Sequence, residues 1–206
     1  MPKENKRMAQ DLNRRTMMKA TAVGAIGVTG LGVLGACAEA QDKETAKVEV
    51  TNGMIDKRLN ELGIVLPEFA PPVASYASYR IVGDMVYISG IGPAPIEGAK
   101  LLGKLGKDMS VKQGAFAAER TAHNIISQAK AACGGNLDMI AQWVRLTGYV
   151  NCTPEFTQQP QVMNGASELL IKVFGDVGLH ARAALGMNAL PFNIAVEIEA
   201  SFQLKR

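Results

Sequence analysis

Residues 178–199 read GLHARAALGMNALPFNIAVEIE, and the chain runs on through Ala200, Ser201 and Phe202. Ile194, Val196, Ile198, Ala200 and Phe202 are apolar at every second position, with Asn193, Ala195, Glu197, Glu199 and Ser201 between them. A side-chain period of two belongs to a strand that buries one face, and here the other face carries two acids. The small-residue segment from Arg182 to Ala189 reads as a strand too, with Leu190-Pro191 as the bend. If that bend returns the chain beside itself, Arg182 and Glu197 come together. Such a pair is either a cross-strand ion pair on a wet sheet face, worth about 0.2 to 1 kcal/mol, or part of a site facing a ligand.

Working outward from this ribbon, Ser78–Val82 and Met85–Ser89 flank Gly83-Asp84 and form a hairpin pattern, and Ser89-Gly90 closes its second strand. Ser110 with Gln113 makes a capping box for a helix over 110–133, which ends at Gly134-Gly135. His123 rides that helix and reads as structural or solvent-facing, with Glu119 the only acid at helical spacing. Trp143–Val150 is a strand pattern, and Pro160–Phe174 a second helix with Val162, Leu169, Leu170 and Val173 inward. Met54–Leu62 reads as a short helix with Asn52 as its cap, before an extended passage through Pro67 and Pro71-Pro72. The order strand, strand, helix, strand, helix, strand, strand predicts an α+β single domain, two helices packed on one face of a mixed sheet. The sheet's second face then calls for a cover, and a partner subunit is the natural one.

The first forty residues follow a different logic. Asn13-Arg14-Arg15-Thr16-Met17-Met18-Lys19 precedes a charge-free run from Ala20 to Cys37, the layout of a twin-arginine signal peptide over 1–40. The run is glycine-rich and short of the roughly 20 strongly apolar residues of a spanning helix. Leu34-Gly35-Ala36-Cys37 resembles a lipobox, and Ala38-Glu39-Ala40 an alternative cleavage site. The expectation is therefore export to the periplasm, with a possible lipid anchor at Cys37, a tether over 41–53 and a folded domain over 54–206. Residues 1–37 hold six of the 22 basic and two of the 19 acidic residues, so the remainder carries 16 against 17, a net of −1. That near-neutral chain, 5% aromatic overall, lacks the basic footprint and stacking platform of a nucleic-acid binder.

Cys133 and Cys152 remain for the domain, to be bridged or left as two small buried thiols, the reading adopted here. No CxxC, HExxH, His cluster, P-loop or strand-GxGxxG-helix pattern occurs, so neither a metal nor another cofactor is expected. The glycines at 98, 103 and 106 read as a connector.

Arg182, Leu190-Pro191 eight positions on, and Val196-Glu197-Ile198-Glu199-Ala200 together resemble the C-terminal signature of the YjgF/RidA family, also called L-PSP endoribonuclease-like. Ala70-Pro71-Pro72 to Tyr76, and Gly83-Asp84-Met85-Val86-Tyr87-Ile88-Ser89-Gly90, resemble the family's opening hairpin. The similarity spans about residues 64–206. It implies a chorismate-mutase-like fold and a homotrimer with sites between subunits. For active members it implies hydrolysis of reactive enamines and imines, such as 2-aminoacrylate, to 2-oxo acids and ammonia. On this resemblance Arg182 clamps the substrate carboxylate, Glu197 handles the water, Tyr76 closes the cleft, and Ser89-Gly90 present backbone groups.

Three departures mark a distinct branch. Ala184 stands where the deaminases often have cysteine, residues 163–168 (MNGASE) replace an aromatic helix, and His180 precedes Ala181-Arg182. His180 is either a second polar contact in the cleft or a loop-ordering hydrogen bond. The functions left open are an imine or enamine deaminase and a non-catalytic trimer that binds small carboxylates or partner proteins. A ribonuclease fits the charge least.

Overall fold

Alternating apolar residues build five strands, and the computed structural model, which describes residues 53–72 and 74–206, joins them in one sheet. The expected signal peptide, the expected lipobox at Cys37, the expected tether up to residue 52 and the expected Asn52 cap lie outside the described residues. In chain order the elements are α1 (Met54–Glu61), β1 (Tyr79–Val82), β2 (Met85–Ile91), α2 (Val111–Ala132), β3 (Ile140–Asn151), α3 (Gln159–Phe174), β4 (Ala181–Met187) and β5 (Val196–Leu204). The sheet order is β1-β2-β5-β3-β4. All neighbours are antiparallel except β3 and β4, which run parallel and are joined through α3.

Helix starts follow local chemistry. Ser110 and Gln113 form the reciprocal capping box that the sequence predicts. For α1, Gly53 supplies no side-chain cap, and the Asp138 carboxylate instead accepts from Met54 N (2.7 Å) and Ile55 N (3.0 Å). A carboxylate at a helix N-terminus satisfies orphan donors and the dipole together. It comes from 80-odd residues away, beyond the reach of a local sequence pattern.

The core lies between the two long helices and one face of the sheet. Val86 and Ile88 of β2, Leu146 and Val150 of β3, and Val196, Ile198, Ala200 and Phe202 of β5 are all buried against α2 and α3. Trp143 packs edge-on against Phe174, with ring centroids 5.5 Å apart, and tilted on Phe202 at 5.2 Å. His123 proves buried, not solvent-facing. Its Nδ1 accepts from Arg120 Nη1 at 3.2 Å, and its other partner is the Val65 backbone, not Glu119, so it staples the extended passage to α2. Burial, then the Arg120 charge, hold its pKa below the ordinary 6.5. Cys133 and Cys152 are free thiols; Cys152 is buried, whereas Cys133 is only half-buried, with burial pushing its pKa up to about 11.

The helices cross closely because Gly165 of α3 sits on the backbone carbonyl of Ala115 in α2. A Cβ there would collide with that carbonyl, and a backbone atom cannot swing aside as a side-chain tip can. Alanine at a helix interior would otherwise gain about 1 kcal/mol over glycine, but overpacking costs typically 1 to 3 kcal/mol. We expect Gly165→Ala to lower the unfolding free energy by about 2 kcal/mol, read as a lower denaturant midpoint; a raised midpoint would show that the helices do not touch there.

Candidate functional site

The strand order decides where each candidate residue points. β3 lies between β4 and β5, so Leu190-Pro191 does not make a hairpin. The connection passes through tight turns over 190–194, closed by Asn193 N to Leu190 O and Ile194 N to Pro191 O (both 3.1 Å) with Phe192 and Asn193 left-handed at φ of 54° and 58°, and crosses to the far side of β3. The expectation that the bend sets Arg182 beside Glu197 is corrected accordingly. Arg182 pairs with Leu146, which pairs with Ala200; Glu197 pairs with Tyr149. Directly opposed residues share a sheet face. Arg182 therefore shares the helix face with Leu146, and Glu197 lies on the opposite, uncovered face, so neither the surface ion pair nor a site joining them exists within one chain.

On the helix side, β4 is the last strand of the sheet and α3 passes over its rim. Asn164 and Ser167, three residues apart on α3 and hence on one side of it, both reach Arg182. Its Nη1 donates to Asn164 Oδ1 (3.0 Å) and to Ser167 Oγ (3.1 Å). Ser167 Oγ also meets His180 Nε2 at 3.0 Å, and His180 Nδ1 meets the Gly178 carbonyl at 2.7 Å. A carbonyl can only accept, so Nδ1 carries the proton of the neutral ring and Nε2 accepts from the serine hydroxyl. Burial first, and the Arg182 charge with it, hold the His180 pKa below the ordinary 6.5 against the opposing Gly178 bond, so the ring is neutral at neutral pH. Of the two readings of His180, the structure shows the loop-ordering bond, and adds an indirect link to Arg182.

On the uncovered face, Glu197 lies over Gly90. β2 shifts register against β5 between Ile88 and Ile91, and a Cβ on Gly90 would meet the Glu197 carboxylate, so only glycine leaves room for it. Burial first, then the like charge of Glu199, raise the Glu197 pKa above its ordinary 4.5. Ser89 ties the preceding segment to this strand: its N–H donates to Ser78 O (2.9 Å) and its hydroxyl to Ala77 O (2.7 Å). Tyr76, one residue before that tie, is 57% exposed.

The structure thus forms two groups, Arg182 with His180 and Glu197 with Gly90 and Ser89, while Tyr76 is exposed one residue before the Ala77 tie. Sequence reasoning singled out Asn164 and Ser167 only as part of a departure and missed Tyr149. The signals were present: an Asn-x-x-Ser spacing on α3, and the alternation Arg145, Thr147, Tyr149 along β3. Burial and the adjacent Glu199 and Glu197 charges raise the Tyr149 pKa, so its phenol stays protonated beside the two acids. A cleft of about 500 Å³ between α1 and α2, lined by Leu59, Ile64, Phe69 and the Lys130–Asp56 ion pair, shares no residue with either group. Among the described residues no cluster of three or more His, Cys, Asp and Glu side chains is arranged for a metal.

Comparison with known proteins gives this geometry a context. The family model described as "YjgF/chorismate_mutase-like, putative endoribonuclease" matches residues 56–200. Protein TCP17 of Trypanosoma cruzi is 42% identical over 156 residues, which span 75% of this chain and 97% of that protein. A crystal structure of a protein of unknown function from Agrobacterium tumefaciens is 42% identical, with a TM-score of 0.67 over 73% of this chain and 93% of that one. A Shewanella oneidensis protein whose crystal structure carries the endoribonuclease description is 33% identical, with a TM-score of 0.69 over 74% of this chain and 100% of that one. With the α+β layer, the matched segment and these relatives agreeing, the chain belongs to the YjgF/chorismate mutase-like family.

Proposed function

We propose that the protein is an exported, trimeric deaminase that hydrolyses carboxylate-bearing enamines and imines to 2-oxo acids and ammonia. The observation that carries this reading is Arg182, a guanidinium fixed through Nη1 while its other nitrogens make no hydrogen bond among the described residues. A rigid fork of donors matches a carboxylate. Glu197, the acid whose pKa is raised, lies on the opposite sheet face, so a site using both takes Arg182 from one copy and Glu197 from a neighbour. The uncovered sheet face supplies the surface for that neighbour.

In this mechanism Arg182 holds the substrate carboxylate and Glu197 takes a proton from water as its oxygen bonds the imine carbon. The imine nitrogen gains a proton, the C–N bond of the resulting carbinolamine breaks, and ammonia leaves a 2-oxo acid. Imines are electrophilic enough for a base of modest strength, and a carboxylate with a raised pKa is a better base than an ordinary one. Ser89 and Gly90 lend backbone groups beside Glu197, and Tyr76 closes the cleft. A second reading, capture of small carboxylates without turnover, is favoured by Ala184, which puts no reactive group beside the clamp. The ribonuclease activity in the family's description is not carried over, because the chain beyond residue 37 has a net charge of −1. The leader argues for the twin-arginine route and a periplasmic protein, lipid-anchored where Cys37 is the processing site.

With a 2-imino acid generated in situ and ammonia release as the readout, Arg182→Ala should lower kcat/KM by about 10- to 100-fold, the loss of a charge-assisted bond; an unchanged rate would sink the deaminase reading. The kcat/KM profile should fall as pH drops through the Glu197 pKa, on a limb above pH 4.5, because protonation removes the base. Glu197→Gln should abolish that limb and cost about 100-fold or more. Gly90→Ala should fold normally, since the carboxylate tip can swing away, yet lose turnover because Glu197 is displaced. Mass spectrometry of protein from exporting cells should find a mature N-terminus at a lipidated Cys37 or just beyond Ala40; an intact Met1 would exclude export.

A further inference from the structure

Arg182 presents five N–H groups, and the structure commits two of them. Both Nη1 hydrogens are used, one on Asn164 Oδ1 at 3.0 Å and one on Ser167 Oγ at 3.1 Å. What remains is the side edge, where Nε–H and one Nη2–H run parallel at the spacing of two carboxylate oxygens. The end-on fork, Nη1 with Nη2, is closed to a ligand.

The direction of the supporting hydrogen bonds is also fixed. Gly178 O accepts from His180 Nδ1, so Nε2 is an acceptor and takes the Ser167 proton. Ser167 Oγ is then left with lone pairs towards Arg182 and cannot turn its donor to it. A neutral His180 thus dictates, through Ser167, that the guanidinium finds an acceptor at this point and nowhere else on the serine. Asn164, on the same side of α3, supplies the second acceptor. The two departures read separately in the sequence, His180 and the polar segment 163–168, meet here as one device.

We propose that His180, Ser167 and Asn164 form a positioning relay that sets Arg182 for side-on capture of a planar carboxylate through Nε and Nη2, selecting 2-oxo and 2-imino acids over their neutral amides. The proposal rests on the reading of Arg182 as a ligand clamp. None of the three relay residues needs to touch the substrate; they act through Arg182.

The test is calorimetric titration of the full chain with pyruvate and with pyruvamide, its neutral amide. Wild-type protein should bind pyruvate at least tenfold tighter. Ser167→Ala should weaken pyruvate by about tenfold while leaving pyruvamide unchanged, as the loss of one hydrogen bond to a charged group predicts, and Ser167→Thr, which keeps Oγ, should restore the discrimination. Equal weakening of both ligands would mean a purely structural role and overturn the relay. Pyruvate binding unchanged in Ser167→Ala but lost in Arg182→Ala would overturn the relay and leave the clamp standing; binding unchanged in Arg182→Ala would overturn the clamp itself. Should Ser167→Ala fail to fold, Asn164→Ala, at an exposed helix position, carries the same comparison. A crystal structure with pyruvate should place its carboxylate on Nε and Nη2, and a carboxylate on Nη1 with Asn164 displaced would contradict the assignment.

Discussion

The placement of β3 between β4 and β5 is the constraint on which the rest of the molecule turns. Side chains alternate across a strand, and opposed residues share a face, so one inserted strand settles two relationships together. Arg182 is sent to the rim of the helix layer through its pairing with Leu146, while Glu197 is sent to the bare face through its pairing with Tyr149. Charges that an isolated hairpin would have neutralised are kept apart. Among the described residues Arg182 keeps unused donors, and Glu197, which forms no ion pair there, is left with burial and a like charge to raise its pKa.

Each half of the proposed site is then shaped by what packs against it. Gly90 admits the Glu197 carboxylate because it has no side chain, and Ser89 beside it pins the irregular segment before β1 that carries Tyr76. Asn164 and Ser167 reach Arg182 because α3 crosses the rim of β4, and α3 is itself held near α2 by the contact of Gly165 with the Ala115 carbonyl. The crossover from β3 through α3 to parallel β4 therefore sets both the strand order and the acceptors that hold Arg182. Fold and candidate site share the same few contacts.

Much of this was legible in the residues. The apolar alternation from Ile194 to Phe202, the Ser110–Gln113 box and the Gly83-Asp84 turn are local signals, and the elements they predict are present. Strand neighbours were not legible, because a period of two says which face a residue occupies and nothing about which strand lies beside it. Leu190-Pro191 looked like a hairpin bend for that reason. The Asp138 cap of α1 and the burial of His123 against Val65 depend on residues far off in sequence, where no spacing rule applies. The family signature supplied Arg182, Glu197 and Gly90 by position. The relay of Ser167 and Asn164 became visible only when α3 was placed over β4.

The central claim, that one copy's Arg182 and another copy's Glu197 serve a single site, is tested most directly by mixing two inactive variants. Arg182→Ala and Glu197→Gln chains, unfolded together and refolded as mixed oligomers, should regain activity, because some interfaces then join an intact Arg182 to an intact Glu197. In a cyclic oligomer with random assortment about one quarter of the sites would be restored. Refolded mixtures no more active than either variant alone would contradict a shared site.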